Sequence, residues 1–284
     1  MDRSIEWLEP YRRGNYQFFR EWATAAWRHS EGKVIPDFAL PWRMKMLLGK
    51  LGLVFAFPGR RKKKLIICTG GRPDYMAWPW CYFYELVPII WDCWPKYREP
   101  MLRFIAKNRV RTVFCTARRT CEVIRERYPH VNAVWLPEGI DVSLYPMGLR
   151  LVDRSNDVMK FGRDAGGKLR YPTHEEFTQA LRDSKIVICR PRCDTHPEEA
   201  GDVETMTQRY WEAMLSGAVI VGRAPKELVD FCGYNPVVED KTPEQVLGHI
   251  GNFQELVERN RRFAESNASW NVRMPIIQKV LEVS

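Results

Sequence analysis

Two glutamates stand eight positions apart in the stretch Glu204-Thr-Met-Thr-Gln-Arg-Tyr-Trp-Glu212, around the start of a predicted helix. Thr205 or Thr207 is in position to cap this helix, whose first-turn amides and dipole suit a phosphate. A carboxylate one or two turns further along can accept hydrogen bonds from both hydroxyls of a ribose, as acidic residues do in dinucleotide sites. The stretch therefore indicates a nucleotide site, although two glutamates are equally typical of a solvated helix face.

A glycine-rich basic loop, Phe161-Gly-Arg-Asp-Ala-Gly-Gly-Lys168, directly follows a predicted strand. Gly162 lets the backbone approach a ligand closely, and Arg163 and Lys168 can both reach a diphosphate. A polar surface turn has the same composition, and that alternative stays open. If the loop binds a diphosphate, Arg163 and Lys168 act catalytically, because they stabilise the negative charge of the departing group.

Two predicted strands in the first half of the chain end in residues that suit a second substrate. Gly70 and Gly71 follow the predicted strand 65–69, and Asp92 lies just beyond the predicted strand 86–90. Open α/β sheets bind their ligands outside the carboxyl ends of the strands. These three residues therefore mark a second ligand-binding edge, with Asp92 as a candidate catalytic base. A structural aspartate that caps a turn is the alternative.

Short apolar runs alternate with helical patterns from residue 65 onward, which predicts parallel sheets with right-handed crossovers. This rhythm breaks once, so we expect two Rossmann-like α/β domains, the first of them abbreviated. An apolar stripe before it, which includes Ile5, Leu8 and Trp22, predicts a helical leader. The predicted organisation is a helical basic leader (1–64), an N-terminal Rossmann-like domain (65–142), a linker (143–157), a C-terminal Rossmann-like domain (158–270) and a C-terminal helix (271–284) that packs back on the N-terminal domain.

The net charge of +9, from 44 Lys+Arg against 35 Asp+Glu, favours anionic partners. The apolar segment from residue 44 leads into Arg60-Arg-Lys-Lys-Lys64, so the stretch 44–64 suits an anionic membrane surface. A core helix followed by a solvated turn explains the stretch equally well. Eight scattered cysteines and a charged N-terminus without a signal-peptide core indicate a cytoplasmic protein, with peripheral association at the inner face of the membrane as an option.

Taken in order, these features resemble the GT-B fold nucleotide-sugar glycosyltransferases, in particular the retaining group with a Glu-x7-Glu motif. The resemblance covers roughly residues 65 to 283 and is most specific from 136 to 239. It implies that the domain 65–142 binds the acceptor, with Gly70, Gly71 and Asp92 on the acceptor side, and that the domain 158–270 binds the nucleotide-sugar donor. It further implies that Glu204 faces the sugar and that Glu212 holds the ribose hydroxyls. It also implies that Arg163 and Lys168 bind the donor diphosphate, and that Pro137-Glu-Gly-Ile-Asp141 is the hinge segment, with Glu138 in place of the usual Asn.

The resemblance implies transfer from a nucleotide diphosphate sugar to a glycan, lipid-linked or other hydroxyl acceptor, with retention of configuration. The departing phosphate then takes the proton of the acceptor, whereas inversion would require Asp92 as the base. No Asp-x-Asp occurs in the sequence, so we expect neither a metal nor another cofactor. In the acceptor domain, Trp91 stands where the family often has a histidine.

Three other functions compete with glycosyl transfer. A GT-B-like epimerase or hydrolase would use the same donor site without an acceptor. A basic nucleic-acid-binding protein would explain the charge and the eleven tryptophans, but the chain carries no RNP, helix-turn-helix or zinc pattern. A non-catalytic scaffold with the same fold would be indifferent to the loss of Glu212.

Overall fold

A computed structural model of the 284-residue chain describes residues 5–8, 28, 34–35, 43–44, 47, 63–70, 79–161 and 167–283. Its internal contacts divide the chain into two compact units. The first comprises Met1–Glu138, His196–Glu204 and Trp270–Ser284, and the second comprises Gly139–Thr195 and Thr205–Ser269. The short segment 196–204 thus interrupts the second unit in sequence and belongs to the first.

The described strands of the first unit form a six-stranded parallel sheet. They are β1 (Ile5–Leu8), β2 (Val34–Ile35), β3 (Lys64–Thr69), β4 (Glu85–Ile90), β5 (Thr112–Cys115) and β6 (Asn132–Trp135). Their order in the sheet is β2-β1-β3-β4-β5-β6. The central strands are runs of apolar residues buried on both faces, as is typical of parallel sheets.

The strands β1 and β2 correct the prediction of a continuous helical leader. Ile5 and Leu8 have helical spacing, but they lie in β1, which pairs in parallel with β3. A four-residue apolar stretch fits a helix and a strand equally well, and here burial of Trp7 and Leu8 in the sheet decides for the strand. Most of the segment 44–64, proposed to bind membranes, lies outside the described residues.

Numbered in chain order, the helices with described bounds in this unit are α1 (Pro95–Asn108), α2 (Arg118–Arg127), α5 (Pro197–Ala200) and α10 (Trp270–Val283). Helices α1, α2 and α10 contribute buried apolar residues to the clusters around the sheet. Helix α1 begins at Pro95, because proline is well tolerated in the first helical turn. Trp270, Met274 and Ile277 of α10 pack against Ile66 and the neighbouring strands.

The described strands of the second unit form a three-stranded parallel sheet, and its helices lie between and after these strands. The elements are β7 (Asn156–Met159), α3 (His174–Asp183), β8 (Ser184–Cys189), α4 (Arg192–Thr195), α6 (Gln208–Ser216), β9 (Val219–Gly222), α7 (Lys226–Cys232), α8 (Pro243–Leu247) and α9 (Gln254–Asn267). The order in the sheet is β7-β8-β9. Helix α3 begins with a capping box, in which Thr173 and Glu176 satisfy each other's backbone amides.

Helix α6 is the central helix of this unit, and residues 210–216 within it are all buried. Trp211 stacks on Phe263 of α9, with ring centroids 6.1 Å apart and an interplanar angle of 13°. The helix ends at Gly217, which adopts the left-handed conformation with a φ of 70° that glycine tolerates best. Because α6 is packed on all sides, the side chains along it are held at fixed positions.

Candidate functional site

The N-terminus of α6 presents buried polar groups. Thr205 is buried, and within the described part of the chain neither its Oγ1 nor the Nε2 of Gln208 has a hydrogen-bond partner. Thr207 has the extended N-cap backbone, but among the described residues its side chain accepts no capping hydrogen bond. Thr207 thus occupies the predicted N-cap position without making the side-chain capping hydrogen bond. The first amides of a helix can bind another acceptor, such as a phosphate oxygen.

The carboxylate of Glu212 lies one turn further along α6 and is buried. The hydroxyl of Tyr145 donates a hydrogen bond of 3.1 Å to its Oε1. Burial raises the pKa of Glu212 from 4.5 to about 7, although the Tyr145 hydrogen bond and the charge of Arg209 oppose this shift. A buried carboxyl group whose pKa lies near neutrality is typical of functional sites.

Tyr145 is itself held firmly from several sides. The ring of His174 meets it edge-on, with centroids 5.5 Å apart and planes at 89°. The guanidinium of Arg261 in α9 donates a 2.7 Å hydrogen bond to the Tyr145 carbonyl. Desolvation lowers the pKa of His174, although a hydrogen bond with the backbone of Leu144 opposes this, so the imidazole is neutral at neutral pH.

The structure also brings the start of the basic loop to α6. Arg209 stacks on the ring of Phe161, with its guanidinium carbon 5.0 Å from the ring centroid. Phe161 immediately precedes the loop, of which Gly162 and Arg163 lie outside the described residues. Lys168 is described and exposed. The loop thus begins beside the first turn of α6, which is where the proposed diphosphate ligands are expected.

Glu204 ends the segment 196–204 and is grouped with the first unit, whereas Glu212 is grouped with the second. This segment is attached to α1 and α2 by ion pairs: Arg119 Nε lies 2.8 Å from Asp202, which also pairs with Arg98. The close approach of Gly201, with a φ of 54°, to Pro95 leaves no room for a side chain, since a Cβ would lie 2.7 Å from the Pro95 ring. These contacts hold the backbone that leads to Glu204.

On the predicted acceptor side, Gly70 and Asp92 come together at the carboxyl ends of β3 and β4. The amide of Trp91 donates a 3.1 Å hydrogen bond to the carbonyl of Thr69. A Cβ at Gly70 would lie 3.5 Å from the Trp91 ring, and Asp92 has a positive φ of 49°. Non-glycine residues with this conformation are uncommon and concentrate at functional sites. Gly71 lies outside the described residues.

Sequence reasoning did not single out Tyr145, His174 or Gln208 as site residues. Tyr145 lies four residues after the predicted hinge segment 137–141 but carries no chemical signal in the sequence, because its role depends on a contact with a residue 67 positions away. Gln208 lies inside the Glu204–Glu212 stretch, at the first position of α6. Its sequence signal is a side-chain amide beside two threonines at a helix start.

No protein-family model matches the chain, and no curated protein matches it at a significant level. The solved structures that it resembles include a sucrose-phosphate synthase from Thermosynechococcus elongatus, with a TM-score of 0.61 at 10% identity over 99% of both chains. HepE from Anabaena, in complex with UDP, has a TM-score of 0.56 at 10% identity, over 99% of this chain and 100% of its own. The N-terminal domain of trehalose-6-phosphate phosphatase from Candida albicans has a TM-score of 0.55 at 8% identity, over 99% and 96%.

At 8–10% identity these likenesses concern the fold. No helix among the described residues is long and apolar enough to cross a membrane. The same residues contain no group of three His, Cys, Asp or Glu side chains arranged for a metal ion. The parallel sheets and these neighbours together show that the chain has an α/β fold of the GT-B type, with Rossmann-like units.

Proposed function

We propose that the chain is a glycosyltransferase whose second unit binds a nucleoside diphosphate sugar at the N-terminal half of α6. The observation that carries this proposal is the buried Glu212 carboxyl group, one turn beyond a helix start with unsatisfied buried donors. With a rise of 1.5 Å per residue, Gln208 and Glu212 are separated by about 6 Å along the axis. This separation suits a nucleotide whose diphosphate lies at the helix start and whose ribose hydroxyls reach Glu212.

The groups at the start of α6 match the needs of a diphosphate. Phosphate oxygens accept hydrogen bonds and carry negative charge, and the helix start offers amide, hydroxyl and carboxamide donors in a buried setting. We assign Thr205, Thr207 and Gln208 to the diphosphate, together with Gly162, Arg163 and Lys168 of the basic loop. Buried donors without partners are costly, so an acceptor that satisfies them gains binding free energy.

In the proposed reaction, the bond between the anomeric carbon of the sugar and the phosphate oxygen breaks while a bond to an acceptor hydroxyl forms. The proton of that hydroxyl passes to the departing diphosphate, which retains both electrons of the broken bond. Arg163, Lys168 and the amides of α6 stabilise the charge that develops on the leaving group. We propose that this occurs with retention and without a metal, and that Glu204 contacts the sugar.

The acceptor is proposed to be the hydroxyl of a glycan or of a lipid-linked molecule, bound at the carboxyl edge of the first sheet. Gly70 and Gly71 would allow close approach there, and Asp92 is available as a base if configuration is inverted. A nucleotide-sugar epimerase or hydrolase would share the donor site. Only the transferase requires an acceptor for turnover.

A thermal-shift screen against UDP, GDP, ADP and CMP tests the proposal. At 100 times its dissociation constant, the correct nucleotide should stabilise the protein by about 2.7 kcal/mol, a shift that is easily measured. The matching nucleotide sugar is then incubated with and without candidate acceptors, and the products are separated. Release of a free epimer or a free sugar without acceptor would replace the transferase by an epimerase or a hydrolase, and no shift with any nucleotide would remove the proposal.

A further inference from the structure

We infer that Tyr145 is a positioning residue that holds the Glu212 carboxylate in one orientation for the ribose hydroxyls of the donor. This inference rests on the proposed function and adds to it a residue from outside the helix that carries the motif. The Tyr145 hydroxyl lies 3.1 Å from Oε1 of Glu212, and both side chains are buried. A hydrogen bond donated to a buried carboxylate fixes its plane and stabilises its ionised form.

The position of Tyr145 does not depend on Glu212 alone. Tyr145 follows a 3-10 turn at Val142–Leu144 and donates its amide to the carbonyl of Val142 at 3.3 Å. His174 of α3 packs edge-on against its ring, and Arg261 of α9 binds its carbonyl. The hydroxyl therefore approaches Glu212 from a scaffold built by two other helices, as a positioning group must.

The other charged and titratable groups around Glu212 differ from the Tyr145 hydroxyl in what they contact. Arg209 lies on the same helix and interacts with the carboxylate through its charge. Cys189 of β8 is a neutral thiol, because burial raises its pKa to about 12. From α3, the neutral His174 reaches Tyr145, and from α9 the Arg261 guanidinium binds the Tyr145 and Leu215 carbonyls.

Among the described residues, Tyr145 is thus the hydrogen-bond donor to the Glu212 carboxyl group, whose ionised form burial disfavours. The ionised carboxylate accepts hydrogen bonds from both hydroxyls of a ribose more strongly than the protonated acid, one oxygen of which carries a proton. Loss of the Tyr145 hydroxyl raises the pKa of Glu212 further, since this hydrogen bond lowers it. Loss of the Tyr145 hydroxyl therefore weakens binding only of ligands with ribose hydroxyls, and it weakens that binding more as the pH falls.

The test compares Tyr145→Phe with wild type for binding of UDP, GDP and ADP and of their 2′,3′-dideoxy analogues, at pH 6.5 and pH 8.5. We expect Tyr145→Phe to weaken binding of the matching ribonucleotide by about tenfold at pH 6.5, the effect of one hydrogen bond to a charged group, and by less at pH 8.5. Binding of the dideoxy analogue should not change. Tyr234→Phe is the matched control, because it removes a hydroxyl that binds Asn260 in the same unit.

Three outcomes would overturn the inference, and only the third would also overturn the proposed function. Equal weakening of ribonucleotide and dideoxynucleotide binding would show that Tyr145 is merely structural. Unchanged ribonucleotide binding at both pH values would show that the hydroxyl has no role, while the proposed function stands. If wild-type protein binds none of the nucleotides, the proposed function fails as well. Should Tyr145→Phe not fold, His174→Leu takes its place, because it removes the ring that packs edge-on against Tyr145 and should weaken binding of the ribonucleotide but not of the dideoxy analogue.

Discussion

Replacement of Glu212 by glutamine is expected to raise the free energy of unfolding at pH 8 by about 3 kcal/mol and to change it little at pH 5. Burial holds the pKa of this group at about 7 in the folded chain, against 4.5 for a solvated glutamate. Each pKa unit corresponds to about 1.36 kcal/mol, which sets the size of the effect. The folded protein therefore binds the proton more tightly than the unfolded chain does.

The sign of this prediction follows from that difference. A raised folded-state pKa contributes stability that is fully present below the unfolded pKa and is lost as the pH rises through the folded pKa. The window of loss for Glu212 therefore runs from about pH 4.5 to about pH 7. The amide introduced by Glu212→Gln carries no charge at either end of this window. The variant is therefore more stable than wild type only at the upper end, where the wild-type carboxyl group is ionised.

Urea unfolding of both proteins at pH 5 and pH 8 measures the difference. Glu255→Gln serves as the control, because Glu255 is exposed on α9 in the same unit and should show no such dependence. An equal change at both pH values would mean that Glu212 is not held in a desolvating environment. A gain in stability on loss of a proposed binding group is expected where function requires an unfavourable buried charge.

Substitution of Arg154 by Met is expected to lower the free energy of unfolding by about 3–5 kcal/mol, because it leaves three backbone carbonyls without their donor. The buried guanidinium donates to Leu149 at 2.9 Å, to Ser184 at 2.8 Å and to Ser216 at 2.9 Å. It thereby joins the loop before β7, the start of β8 and the end of α6. Methionine fills much of the same volume but donates no hydrogen bond.

Arg150→Met provides the comparison, since Arg150 is an exposed arginine four positions earlier. In a denaturant titration, the free energy of unfolding of this control should lie within about 0.5 kcal/mol of the wild-type value, as for most surface substitutions. A stability loss below about 1 kcal/mol for Arg154→Met would contradict the role assigned to the guanidinium. Because Arg154 anchors the end of α6, the variant should also weaken nucleotide binding at the start of that helix.

The part of the fold that sequence predicts best is the second unit around α6. Local signals there are strong: the apolar run 218–221 indicates β9 (Val219–Gly222), and the helical pattern that ends before Gly217 indicates α6 (Gln208–Ser216). Local signals are weaker at the N-terminus. A stretch as short as β1 has no periodicity of its own and becomes a strand only by pairing with β3.

The candidate site is predicted only as far as its residues are close in sequence. The spacing of Glu204 and Glu212 draws attention to the start of α6, but it does not reveal that the two residues are grouped with different units. Asp202, two residues before Glu204, pairs with Arg98 and Arg119, which are 104 and 83 positions away in the sequence. The Tyr145–Glu212 hydrogen bond is likewise a product of the tertiary fold and has no sequence signature.

The central claim is that α6 binds a nucleoside diphosphate, with its ribose on Glu212. The most direct test is calorimetric titration of the nucleotide found in the thermal-shift screen into wild type, Glu212→Ala and the control Glu255→Ala. We predict saturable binding with one site per chain in wild type and in Glu255→Ala. Glu212→Ala should lose at least about a hundredfold in affinity, as expected when two hydrogen bonds to a charged group disappear. Equal affinity of Glu212→Ala and wild type would contradict the account.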